Sequence, residues 1–248
     1  MFQAHWYHLG RSILVEYARW ILKVDIHQAS ALPAGPKILV ANHPSTTDPA
    51  WVSVLVPEQA TILIKDTLFK IPLFGKSLHL SGHIPVIPGN GRCALEKAAE
   101  LIRAGRTVVV FPEGEISPRE GGFQKAHTGA ARLALITGAP IVPVGIALDQ
   151  KHLYVIPARV DGALDTGYWC LQGPYAMTVG KPISFSGDPE DRGQVNSILA
   201  DIMDQVSHLS FESSQRVRAC QPVGFGPGNL VGLSWKLFGS LFYKLSAI

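Results

Sequence analysis

Short apolar, β-branched runs alternate along this chain with stretches whose apolar positions recur every three or four residues. "KILVAN", "TILIK", "IPVI", "TVVVF" and "IVPVGIAL" are apolar, β-branched runs of strand length with polar residues only at their ends, the pattern of strands covered on both faces. Between them, "WVSVLV", "CALEKAAELIRAG" and "KAHTGAARLALITGA" have helical spacing, and the last two close near a glycine suited to a helix C-terminus. Downstream, "LYVIPARV" and "YAMTVGKPISF" read as further strands, followed by a polar helix, "DPEDRGQVNSILADIMDQVSHL". Strands alternating with helices predict an α/β layer fold.

The two ends depart from this rhythm. In "MFQAHWYHLGRSILVEYARWILKV", Phe2, Trp6, Leu9, Ile13, Tyr17, Trp20 and Val24 fall on one helical face, flanked by Arg11, Arg19 and Lys23. Such a helix either lies in a membrane interface or packs on its own core. At the other end, "CQPVGFGPGN" reads as a Gly/Pro-rich connector to "LVGLSWKLFGSLFYKLSAI", where Lys236 and Lys244 make a full membrane span costly and favour an interfacial helix. The expected organisation is an N-terminal amphipathic helix over 1–24, one domain over 25–219, and a linker with a C-terminal helix over 220–248.

Composition narrows the function classes. The 248 residues, 47% of them hydrophobic, support a substantial core. Lys plus Arg number 22 against 19 for Asp plus Glu, which does not point to nucleic acid, although the small cationic excess suits an anionic surface. Cys93, Cys170 and Cys220 are odd in number and lack C-x-x-C spacing, as expected of a reducing compartment without a disulfide framework or zinc site. No apolar run reaches the about 18 residues of a transmembrane helix, and no signal peptide pattern opens the chain. These features predict a peripheral protein on the cytoplasmic face of a membrane.

Candidate chemistry concentrates in two stretches. In "ILVANHPSTTDP", a strand delivers His43 at its C-terminal end, where ligands collect in open α/β sheets, and Asp48 follows five positions on. A carboxylate that accepts a proton from one imidazole nitrogen leaves the other as a general base. The alternative is that Asp48 and Pro49 only start a helix and His43 is a loop residue. In "TVVVFPEGEISP", Glu113 and Gly114 leave a strand at the same sheet edge, Glu113 being either functional or a solvated turn residue. A rival reading comes from Gly89-x-Gly91-x-x-Ala94 with Glu113 farther on, the outline of an NAD-binding oxidoreductase. No nucleophile elbow, P-loop or H-E-x-x-H helix is present, and His79 and His83 read as two histidines that bind no metal.

Taken together, "NHPSTTD" and "FPEG", with "GAPIVPVGI" downstream, resemble the glycerolipid acyltransferase family typified by bacterial lysophosphatidate acyltransferases, over about Lys37 to Leu148. The resemblance implies a central mixed sheet flanked by helices and an O-acyltransferase that uses acyl-CoA or an acyl carrier protein and no other cofactor. His43 would deprotonate a lysophospholipid hydroxyl, lysophosphatidate first, with Asp48 orienting it, while Glu113 and Gly114 would help to hold the acceptor. "GHIPVIP" and "IVPV" stand where the family has its second and fourth blocks. Two family arginines are missing, their positions being held by Pro88 and Ile116. A displaced phosphate site of Arg92 with Arg119 or Lys125 is therefore expected, because a phosphomonoester needs a cationic partner. The remaining alternative within the same fold is a lipid-binding protein without catalysis.

Overall fold

The computed structural model describes residues 2–160 and 163–220. Its centre is a seven-stranded sheet of β1 (Asp25–Gln28), β2 (Ile38–Ala41), β3 (Ala60–Lys65), β4 (Ile84–Val86), β5 (Thr107–Val110), β6 (Ile141–Leu148) and β9 (Tyr175–Val179), in the order β1-β9-β6-β2-β5-β3-β4. Every pair is parallel except β6 with β9, so the sheet is mixed.

The strands lie between two apolar layers. Ile38, Val40, Val108 and Val110 face a cluster completed by α4 (Gly91–Arg103), α5 (Gly129–Thr137) and α6 (Arg192–Ala219). Leu39, Ala41, Val109 and Val142 face the opposite cluster, which holds Trp51 and Val52 of α2 (Asp48–Ser53). All four residues of β2 are fully buried, which is why this half-alternating pattern is invisible in the sequence: both faces need apolar side chains. α6 begins with Asp191, whose carboxylate accepts from the Gly193 and Gln194 N–H groups, and runs for 28 residues, past the end of the predicted helix.

The N-terminal helix α1 (Phe2–Tyr17) is continued by one π-turn over Ala18–Leu22. Its inner side is built into the domain. The Tyr7 hydroxyl accepts from the Ala60 N–H, Arg11 donates to the Val54 and Val56 carbonyls at 3.2 and 2.9 Å, and Tyr17 stacks on Trp51. Its outer side leaves Leu9, Ile13 and Trp20 between 60% and 65% exposed. The expected linker beyond Cys220 and the C-terminal helix with Lys236 and Lys244 lie outside the described residues.

Two strands are not legible in the sequence, β1 and the partner of "LYVIPARV". "LYVIPARV" is a strand, β7 (Leu153–Val160), but it does not join the central sheet. It pairs with an unexpected strand, β8 (Ala163–Cys170), as a separate antiparallel ribbon. Remaining short elements are 3-10 turns over Asp66–Lys70 and Gln150–His152 and α3 (Phe74–Leu80).

Candidate active site

His43 leaves the C-terminal end of β2, beside the ends of β5 and β3. Its Nδ1 lies 3.0 Å from Asp48 Oδ2, and its ring packs against Phe111 at 4.5 Å between centroids. Asp48 is the first residue of α2 and is completely buried. It does not cap the helix. Its Oδ2 also accepts from the Ser45 N–H at 2.6 Å, and its Oδ1 accepts from the Ser45 hydroxyl and, at 2.8 Å, from the Tyr175 hydroxyl. A carboxylate so supplied with donors makes Nδ1–H the donor in the His43 contact and leaves Nε2 as a lone-pair acceptor. Burial, reinforced by the Asp48 charge, drives the Tyr175 pKa far upward, so its hydroxyl keeps the proton that it donates.

Two threonines fix the intervening loop. Thr46 exchanges backbone and side-chain hydrogen bonds with Tyr168 of β8 at 2.7 and 2.8 Å, and Thr47 Oγ1 bonds both the N–H and the carbonyl of Cys170. The ribbon thereby holds the catalytic-type loop in place.

Glu113 has a different place from the one implied by its motif. It is 2% exposed and all its contacts are structural: Oε1 accepts from the His43 N–H at 2.9 Å and the Ser117 hydroxyl at 2.7 Å, and Oε2 accepts from the Gln124 N–H at 2.7 Å. The Ser117 N–H in turn donates to the His43 carbonyl at 2.8 Å. The carboxylate clasps the 112–128 loop to the backbone of His43 rather than facing an acceptor. Gly114, at φ +67°, lines the cavity, and a Cβ there would stand 3.2 Å from the His127 ring. The same bonds remove the rival NAD reading's acidic ligand, and β4, which precedes its glycines, is the edge strand of the sheet.

His43 opens onto a cavity of about 850 Å³. Ile62, Ile64, Leu68, Ile71, Leu78 and Phe111 give it apolar walls, and α1 and β8 close its sides. Of the three predicted cations, Arg92 is 90% exposed on α4 and paired with Glu96. Arg92 stands in the first turn of α4 and is not among the residues lining the cavity. Arg119 lies 5.1 Å over the ring of Tyr168, a cavity residue, and Lys125 is exposed beside Gln124. Lys65, at the C-terminal end of β3, does line the cavity. Sequence reading passed over Lys65, Ser45 and Tyr175. "TILIK" read as a parallel strand could have yielded Lys65, since the strand's last residue falls on the ligand-binding edge.

Comparison with known proteins gives a consistent relationship. Residues 23–147 match the family model described as acyltransferase. The chain is 30% identical to the chloroplastic 1-acyl-sn-glycerol-3-phosphate acyltransferase BAT2 of Brassica napus, across 58% of this chain and 42% of that one. It is 30% identical to the 1-acyl-sn-glycerol-3-phosphate acyltransferase of Escherichia coli K12, across 53% of this chain and 56% of that one. It is also 30% identical to the lyso-ornithine lipid O-acyltransferase of Pseudomonas aeruginosa, across 51% and 48%. The matches thus span about half the length of these relatives. Among solved structures, the 1-acyl-sn-glycerophosphate acyltransferase PlsC of Thermotoga maritima has the same fold, with a TM-score of 0.56, 22% identity, and coverage of 81% of this chain and 80% of that one.

Proposed function

This chain belongs to the acyltransferase family, and on that premise we propose that it moves a fatty acyl group from an acyl thioester to the free hydroxyl of a lysophospholipid, lysophosphatidate first. The observation that carries this reading is the His43–Asp48 pair, 3.0 Å apart, at the mouth of an apolar cavity. His43 Nε2 takes the proton of the acceptor hydroxyl as its oxygen attacks the thioester carbonyl, and Asp48 holds the resulting imidazolium. Collapse of the tetrahedral intermediate breaks the C–S bond, and the imidazolium returns its proton to the departing thiolate. An ester and a free thiol are the products.

Lysophosphatidate is favoured as acceptor by the names of the relatives from Brassica napus and Escherichia coli. Lys65 in the cavity wall, and Arg119 over the ring of the cavity residue Tyr168, supply positive charge for a phosphomonoester. Lys65→Ala is expected to raise KM for lysophosphatidate about tenfold, the value of a charge-assisted hydrogen bond, and to leave KM for a neutral monoacylglycerol unchanged. Equal changes with both acceptors would remove the phosphate from this reading.

The exposed stripe of α1 supports action at a lipid surface. Trp6, Leu9 and Ile13 border the cavity while remaining 40–64% exposed, and Arg19 and Lys23 continue the same segment. A helix of this kind buries its apolar side among lipid headgroups. Replacing Leu9, Ile13 and Trp20 together by serine is expected to release the protein from anionic vesicles in a co-sedimentation assay. Unchanged sedimentation would assign the stripe another role.

A further inference from the structure

The cavity does not end as it begins. Strand registers set Leu39, Val109 and Ile62 at one level, and the pairing of Leu63 with Ile84 sets His83 there too. That level is four residues before His43 along the strands and three strands away, which places His83 roughly 19 Å from His43 between backbone positions. Apolar walls fill the interval. At the far end the lining turns polar, with His83, Tyr7, Ser53 and Ser81.

These groups are organised. The Ile62 N–H donates to His83 Nδ1 at 3.3 Å, which assigns the ring proton to Nε2. Among the described residues, no acceptor is bonded to that Nε2–H. Arg106 stands behind, bonded through Nη2 to the Thr61 hydroxyl at 3.3 Å, with its Nε buried and unpartnered. Burial and the Arg106 charge lower the His83 pKa to about 4, so the imidazole is a neutral single-proton donor. Tyr7 accepts from the Ala60 N–H and interacts with Ser53. A chain ending here in a methyl group displaces water from the imidazole N–H and gives nothing back, whereas an oxygen atom restores the bond.

We propose that this inner end of the cavity is a binding site for an oxygen atom borne by the substrate's acyl chain, so that the protein selects chains with a hydroxyl or oxo group far from the thioester. The proposal rests on the acyl-transfer reading of the cavity but is tested by binding alone. A fluorescent fatty acid bound to the full chain is displaced by matched pairs of straight-chain fatty acids of graded length, one member of each ending in methyl and the other in an ω-hydroxyl. In the wild type, one length is expected to favour the hydroxyl member about tenfold more than the other lengths do, the worth of one satisfied hydrogen-bond donor. His83→Leu removes that maximum. His83→Gln, which keeps an acceptor for the Ile62 N–H and a donor for the cavity, retains it. A flat ratio across all lengths, the same maximum in His83→Leu, or no displacement by any fatty acid overturns the proposal. Acyl transfer from an unsubstituted thioester is a separate measurement, so failure here leaves that reaction standing.

Discussion

Replacing His43 by alanine is expected to lower acyl transfer by about 10²- to 10⁴-fold, the usual contribution of a positioned general base, while the protein keeps its fold. The imidazole borders the open cavity, so its removal leaves no sealed void in the core. Asp48 retains three of its four donors, from the Ser45 N–H and hydroxyl and from Tyr175. Thermal unfolding should therefore shift little. Activity within a few-fold of the wild type would remove His43 from the chemistry, and collapse of the fold would make the histidine structural.

Glu113→Ala is expected to act the opposite way, through stability. Its carboxylate receives the His43 N–H, the Ser117 hydroxyl and the Gln124 N–H in a site closed to solvent. Truncation strands the Ser117 hydroxyl and the Gln124 N–H and leaves the His43 N–H only its longer bond to Ser117 Oγ at 3.3 Å, and each buried donor without a partner costs about 1–3 kcal/mol. Partial relaxation of the loop should leave a net loss of about 2–4 kcal/mol in urea unfolding, with activity falling because the backbone of His43 loses its clasp. Wild-type stability together with a raised KM for the acceptor would restore the acceptor-holding role that the F-P-E-G resemblance implies.

The parts of this molecule that can be read from sequence are those set by local patterns. The central parallel strands β2, β5 and β6 announce themselves because a strand covered on both faces has few polar positions to interrupt it, whereas the exposed edge strand β1, "DIHQ", gives no such signal. His43 and Asp48 are five residues apart, so one loop brings them together. Tyr175 is not legible in this way. It reads as an ordinary strand residue in "YAMTV", and only the antiparallel pairing of β9 with β6, together with the parallel pairing of β6 with β2, carries its hydroxyl to a carboxylate 127 residues away. The ribbon strand "ALDTGYWC" carries Asp, Thr and Gly without alternation, and it pairs with β7 and the loop after His43 while Cys170 at its end enters the core. Glu113 shows a further limit. A motif locates a carboxylate at the sheet edge, but which donors claim its oxygens depends on how the 112–128 loop folds back.

The most direct test presents the purified protein with lysophosphatidate in anionic vesicles and a labelled long-chain acyl thioester, as the CoA and the carrier-protein form in parallel. The expected result is labelled phosphatidate, formed with one equivalent of free thiol by the wild type and reduced at least a hundredfold in His43→Ala. Phosphatidate formed equally by both proteins, or none formed by the wild type from either donor, would contradict it.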